Sequence, residues 1–270
     1  MMGAWTTAAL DLLFPALCPV CDVTLGTGRQ DPLCGTCWRA IERIAPPCCA
    51  RCGLPLNTFS RASALRAGDV GLAEGSRASG VPSEEPSPDP TLLCAACALE
   101  PPPFDWARAA ATFGGPLRDA LHAFKFGGTR ALARPLAALV VEQCAGSLPA
   151  GIDTLIPVPL APERERERGY NQAALLARYL GRALGLPVRS RWLVRLRSTA
   201  PQSDLSAAER RANVRGAFAG SPGVAGLHVA VVDDVLTTGT TAAECARVLC
   251  ASGARRVGVL TVARVLQAAV

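Results

Sequence analysis

The stretch VAVVDDVLTTGTTAAECARVL, residues 229–249, decides the fold. An apolar run drives into two adjacent acids, Asp233 and Asp234, and a turn of Thr and Gly then opens a helix-like run. A short, Val-rich, uninterrupted apolar run reads as a strand buried on both faces, the pattern of a parallel sheet covered by helices. Ligands of open α/β sheets bind at the carboxyl ends of the strands, which is where the two acids fall. Carboxylates at that edge can accept hydrogen bonds from vicinal sugar hydroxyls. The turn Thr237, Thr238, Gly239, Thr240 and Thr241 leads into the helix, and N–H groups there, with the helix dipole behind them, favour a phosphate. Gly239 lets the backbone approach closely, and the threonines add hydroxyl donors. Together these residues read as a site for a ribose 5-phosphate. A plain Asp turn with a Thr N-cap is the alternative; two acids directly after four apolar residues argue against it.

The neighbouring segments fit the same sheet. DTLIPVP (153–159), LHVAVVDDV (227–235) and RRVGVLTVARV (255–265) read as strands. NQAALLARYLGRALG (171–185) reads as an amphipathic helix ended by Gly185 and Pro187, and TAAECARVLCASGA (241–254) as a helix with a Gly stop. Strands alternating with helices predict an α/β domain with a parallel sheet, spanning 107–270.

The chain has 270 residues, half of them hydrophobic, with a formal net charge of +6. That mild basic excess permits a nucleic-acid or phosphate partner without demanding one. The apolar stretch LARPLAALVVEQCAG from 132 carries Arg134, Pro135 and Glu142 and falls short of the ~20 residues a bilayer needs. The N-terminus has no basic n-region and is interrupted by Asp11, so no signal peptide is read and the expected location is the cytoplasm.

Twelve cysteines in a reducing compartment point to metal rather than disulfides. Nine lie before residue 98, and eight of those form four C-x-x-C pairs: Cys18/Cys21, Cys34/Cys37, Cys49/Cys52 and Cys94/Cys97. Two such pairs close a tetrahedral four-thiolate shell around zinc, with no open position for catalysis. Twelve residues separate the first two pairs, which suits a zinc ribbon; the last two are separated by a long insertion, and loop closure costs grow only logarithmically with length. Sequential pairing, first with second and third with fourth, is the simpler arrangement; crossed pairing is also open. The zinc-ribbon region takes 1–56 and 91–100, the Ser-, Gly-, Ala- and Pro-rich segment 57–90 is an expected disordered insertion, and EPPPFDW (100–106) is an expected stiff linker. Cys48, Cys144, Cys245 and Cys250 read as ordinary apolar residues, and His122 and His228 as non-ligands. Trp38, Phe59 and Trp106 are the candidates for stacking bases near the N-terminal part.

VVDDVLTTGTT resembles the phosphoribosyl-pyrophosphate (PRPP) signature of type I phosphoribosyltransferases. FKFGG with Lys125, IPVPLAPERERERGYNQ and TAPQSDLSAAERRANVRGAF narrow the resemblance to the ComF family, whose members include competence proteins of DNA uptake. It covers nearly the whole chain apart from 57–90. It implies a type I phosphoribosyltransferase-like sheet behind a double zinc ribbon. Asp233 and Asp234 then take the ribose, Thr237 to Thr241 the 5-phosphate, and Mg2+ accompanies the pyrophosphate. Lys125, Arg164, Arg168, Asn171, Gln202, Arg210 and Asn213 are pyrophosphate or lid candidates; for each, a solvated surface residue is the competing reading. Three functions follow from this. One is phosphoribosyl transfer to an unknown acceptor, another a non-catalytic PRPP-binding scaffold that engages single-stranded DNA or a helicase through its zinc knuckles, and the third a regulator that reads nucleotide status.

Overall fold

The computed structural model describes residues 16–26, 31–56, 65–66, 92–198 and 207–266. Its centre is a four-stranded, wholly parallel sheet of β3 (Trp106–Thr112), β8 (Arg256–Arg264), β7 (His228–Leu236) and β4 (Thr154–Pro157), in that order. Leu155 extends the far edge by a parallel bridge to Val188. Neighbouring residues of a strand point to opposite faces, and the burial follows this. Ala230, Val232, Leu260 and Val262 enter one core, while Val229, Val231, Val257 and Val259 enter the other.

The first core is covered by α3 (Gly115–Phe126), α4 (Ala133–Cys144) and α6 (Gln172–Leu184). Helix α6 forms where expected. Asn171 accepts from the Ala174 N–H as its N-cap, Leu176 and Leu180 lie one turn apart on the buried side, and Gly185 at φ 68° ends it. The second core is covered by α8 (Thr240–Ala251) and by a hairpin of β5 (Leu193–Arg195) and β6 (Phe218–Gly220). A helix α7 (Ala207–Val214) precedes that hairpin's second strand.

The cysteine segments attach along the free edge of β3. Ile44 N–H donates to Ala110 O, Thr112 N–H to Glu42 O and Ala107 N–H to Arg51 O. Cys18, Cys34 and Cys37 pack into the first core and Cys49, Cys52, Cys94 and Cys97 into the second, so the two knuckle pairs straddle the edge strand. The expected stiff linker at 100–106 is therefore corrected. Phe104 is buried, Asp105 exchanges hydrogen bonds with Val257 through both its N–H and its carboxylate, and Trp106 already belongs to β3. Of the expected insertion, β1 (Leu65–Arg66) pairs antiparallel with β2 (Leu92–Leu93); the rest lies outside the described residues. Trp106 is not available to a base: its ring is buried over Gly258 and its Nε1–H donates to His228 Nε2 at 2.9 Å. Trp38 is half-buried against the first core, and Phe59 lies outside the described residues.

Among the described residues no helix is long and apolar enough to cross a membrane.

Candidate functional site

The four sulfurs of Cys18, Cys21, Cys34 and Cys37 lie within 4.8 Å of one another, and so do those of Cys49, Cys52, Cys94 and Cys97. The pairing is the sequential one. Cys21 and Cys34 approach to 3.6 Å and Cys52 and Cys94 to 3.7 Å. These match the edge of a tetrahedron with Zn–S bonds of about 2.3 Å, roughly 3.8 Å. Backbone N–H groups already point at the sulfurs: Cys34 N–H to Cys18 Sγ and Cys94 N–H to Cys49 Sγ. Burial raises the Cys18 thiol, and N–H donors from Cys34, Val20 and Cys21 outweigh it, leaving the thiol at about 6. Both quartets fit structural Zn2+.

A second site lies at the carboxyl ends of β4 and β7, on the half of the sheet away from the knuckles. There a polar cavity of about 220 Å³ opens, and Asp233, Asp234, Thr237, Gly239, Thr240 and Thr241 line it with Lys125, Arg164, Arg168, Asn171, Gln172, Arg195 and Thr261. The two acids are adjacent in a strand, so they diverge. Asp234 turns to the side of α3, where Lys125 Nζ stands 2.9 Å from its Oδ2; the carboxylate is 5% exposed and the lysine 24%. Asp233 lies in register with Thr261 and faces the side of α8. Withdrawal from water, then the neighbouring Asp234 carboxylate, push Asp233 up to about 7, with Lys125 pulling the other way.

The cations come from three elements. Helix α5 (Pro162–Arg168) has a period of 3.6 residues, so Arg164 and Arg168, four apart, share a face. Both line the cavity, while Arg166 points to solvent beside Glu163. The alternating ERERER pattern hid the helix, which splits it into a cavity side with the two expected candidates and a solvated side. Arg195 on the β5–β6 hairpin has no counterpart in the sequence reading, because a three-residue strand after an exposed turn carries no periodic signal. Burial, then the Arg164 guanidinium, lower its pKa, with Cys245 and Asp233 opposing. Burial lowers Arg168 as well, opposed by Asp234. The loop after β7 is positioned by Gly239, whose φ of 77° favours glycine. Thr238 and Thr240 hydroxyls lie 2.8 Å apart across it, and α8 starts at Thr240.

The other candidates divide. Asn171 lines the cavity, but its side chain is already used: it caps α6 and donates to Val158 O at 3.0 Å, fixing the corner after β4. Asn213 falls on α7 and is not cavity-lining; Arg210 falls on the same helix, and Gln202 lies outside the described residues. Gln172 was overlooked, although it directly follows Asn171. Among the described residues, the buried side-chain N and O atoms without a hydrogen bond are Gln172 Oε1, Asp234 Oδ2 and Arg264 Nε. Two of these three belong to cavity-lining residues and both are acceptors. The Lys125 ammonium near Asp234 balances charge there without regular hydrogen-bond geometry. Buried acceptors without donors are costly unless something supplies them.

A family model described as the double zinc ribbon domain matches residues 9–69. The chain is 33% identical over 261 residues to "DNA utilization protein YhgH" of Salmonella typhi, covering 94% of this chain and 100% of that protein. It is 33% identical over 181 residues to "Competence protein F" of Haemophilus influenzae, covering 63% of this chain and 78% of that protein. Among solved structures, glutamine PRPP amidotransferase from B. subtilis, complexed with ADP and GMP, aligns with a TM-score of 0.33 at 24% identity, over 47% of this chain and 25% of that one.

Proposed function

We infer, from the premise that this chain belongs to the ComF family, that its cavity binds PRPP and transfers the phosphoribosyl group to an acceptor. The observation that carries this reading is the polarity of the cavity. Gln172 Oε1, a buried acceptor without a hydrogen bond, lines it with Asp233 and with Asp234, whose Oδ2 is ion-paired to Lys125. Four cationic side chains, Lys125, Arg164, Arg168 and Arg195, surround them. A ligand that suits both must carry hydroxyl donors and several negative charges close together, as a ribose bearing phosphates does.

Asp233 and Asp234 would accept from the ribose hydroxyls. The turn Thr237 to Thr241, at the start of the twelve-residue helix α8, would hold the 5-phosphate. Lys125, Arg164, Arg168 and Arg195 would take the pyrophosphate. In the transfer the bond from ribose carbon 1 to the pyrophosphate oxygen breaks, with its electron pair leaving on oxygen. The acceptor's lone pair forms the new bond, and the acceptor gives up its proton. The cations stabilise the charge that builds on the departing pyrophosphate. Mg2+, bound together with PRPP, would add to that neutralisation. A relative named for DNA utilization supports looking for the acceptor among groups met in the handling of DNA. The acids, the loop and the cations at one cavity support PRPP binding in both readings, and pyrophosphate release in the presence of an acceptor separates transfer from a non-catalytic scaffold.

Calorimetric titration with PRPP, with and without Mg2+, tests the reading. Micromolar binding that requires Mg2+ is the expected result. The double variant Asp233→Ala/Asp234→Ala should lose it while keeping its zinc content; retained affinity in that variant would remove the site assignment.

A further inference from the structure

Helix ends fray, and two of the cavity's cations stand on helix ends. Lys125 is the penultimate residue of α3 and Arg168 the last of α5. The two helices are distant in sequence, yet both cations act on Asp234. The ends are joined by Tyr170, a member of the stretch RGYNQ that does not line the cavity. Its ring is buried beside Phe124, with centroids 5.9 Å apart, and its hydroxyl donates to Phe124 O. That carbonyl is among the last four of α3, which the helix itself leaves without a partner, and Lys125 is the next residue. Arg130, at the start of the turn Arg130–Leu132 between α3 and α4, closes the other side. Its guanidinium carbon lies 4.8 Å from the centroid of the Tyr170 ring, and its Nη2 donates to Gly169 O at 2.6 Å. Gly169 ends α5 at φ 73°, and a Cβ there would come within 2.8 Å of Nη2 and push the guanidinium away. Two hydrogen bonds and one stacked guanidinium thus clasp the segment after Arg168 to the segment around Lys125.

We propose that Tyr170, held by Arg130, is a positioning residue: it fixes the spacing between Lys125 and Arg168 and so tunes the cavity to a diphosphate rather than a single phosphate. The proposal rests on the reading in which Lys125 and Arg168 take the pyrophosphate of PRPP. One cation meets a single phosphate wherever that cation stands. A diphosphate spans both, and binding that needs two groups at once is sensitive to the distance between them. Tyr170 exerts this control without reaching the ligand, because its hydroxyl is spent on Phe124 O and its ring is covered by Arg130. Phenylalanine at this place keeps the packing against Phe124 and loses the hydroxyl bond alone, which makes Tyr170→Phe the informative substitution.

The test is calorimetric titration of the parent chain, Tyr170→Phe, Lys125→Met and the double variant with inorganic pyrophosphate, PRPP and ribose 5-phosphate, each in the presence of Mg2+. Tyr170→Phe should weaken pyrophosphate and PRPP about fivefold, the most that one hydrogen bond of about 1 kcal/mol transmits at 1.4 kcal/mol per decade. Ribose 5-phosphate, whose single phosphate does not bridge the two cations, should stay within about twofold. In the Lys125→Met background the same substitution should cost less than about twofold, because a lone cation has no spacing to keep. Arg130→Gln opens the clasp from its exposed side and should repeat this pattern. A loss that persists for Arg130→Gln in the Lys125→Met background would be an effect of charge and would overturn the part given to Arg130. Unchanged pyrophosphate affinity in Tyr170→Phe, an equal loss for ribose 5-phosphate, or a full loss retained in the Lys125→Met background overturns the proposal. A parent chain that binds pyrophosphate but not PRPP would remove the PRPP reading and leave the clasp standing, whereas one that binds neither overturns both.

Discussion

Removing the Lys125 charge should destabilise the protein and weaken its ligand by separable amounts. In Lys125→Met the stem remains and the ammonium goes. The Asp234 carboxylate, 5% exposed, then keeps no cation within ion-pair distance on that side. Breaking a fully buried pair costs about 3–5 kcal/mol, and a fully exposed one is worth about 0–1 kcal/mol. With the lysine 24% exposed, the pair falls between these limits, at about 2 kcal/mol. For a chain of this size that is a fall in Tm of roughly 4–8 °C. Asp234→Asn removes the orphaned charge, so the double variant should recover part of the loss, with a coupling of about 1–2 kcal/mol. Differential scanning calorimetry of the parent, both single variants and the double variant closes the cycle. Additivity within about 0.5 kcal/mol would show that the 2.9 Å approach carries no energy, and the account of the cavity as a prepaired site would go with it. PRPP titration of the same four proteins should show Asp234→Asn losing affinity more than tenfold, because the amide loses the charge and half the accepting capacity of the carboxylate.

Three further outcomes are expected. Asp233 is raised from 3.8 to about 7, so the folded state holds its proton more tightly than the unfolded chain: its contribution to stability is complete below about pH 4 and is lost as pH rises through 7. PRPP affinity should run the other way, rising through pH 7 as the carboxylate ionises; a flat binding profile from pH 6 to 8 would contradict this. Cys97→Ser should lower the bound zinc from two ions to one per chain and cut Tm by more than about 5 °C, since the second quartet anchors Arg264 through Cys52 O; PRPP affinity should change little, because that quartet packs by the β3 edge and not at the cavity. Gly258→Ala should cost about 1–3 kcal/mol, because a methyl there would come within 2.0 Å of the Trp106 ring, which His228 holds in place; chemical denaturation followed by tryptophan fluorescence reads it.

What the sequence displays well is whatever has a local cause. The strand before Asp233 and Asp234 shows because four consecutive apolar residues are buried on both faces. The C-x-x-C turns show because two thiolates three apart already share a turn, and α6 shows through its Asn171 cap and Gly185 stop. The paired quartets, the zinc ribbon and the helix-flanked parallel sheet follow from these. Features set by tertiary contact were illegible. The run 100–106 reads as a linker from its prolines, yet Phe104 and Trp106 are buried by packing that no local pattern encodes. The period-two alternation of Glu and Arg concealed a helix, although Arg164 and Arg168 were singled out from it and Arg166 was not. Arg195 reaches the cavity from a short hairpin whose position depends on the whole second core. Lys125 was singled out as a phosphate candidate, but its pairing with Asp234 needs α3 laid across the sheet.

The adjacency of Asp233 and Asp234 has a structural meaning beyond their number. Two carboxylates on consecutive strand residues point to opposite faces, so they line one cavity only near the carboxyl end of the strand, which here runs on just to Leu236. Here α3 packs on one face of the sheet and α8 with the β5–β6 pair on the other, and Arg164 and Arg168 of α5 line the cavity as well. The cations are shared: Lys125 pairs with Asp234 and also acts on Asp233, Arg168 acts on Asp234, and Arg195, beside Arg164, acts on Asp233. Without those cations the two acids would repel one another in a place that already disfavours charge, as the raised Asp233 shows. Four cationic side chains and two acids thus line the same cavity. A ligand bearing only hydroxyls would satisfy the acids and leave the arginines; one bearing only phosphates would satisfy the arginines and meet the acids. The sugar phosphate proposed above would answer both at once, and simple polyanions without hydroxyl donors are then expected to bind more weakly in the same titration.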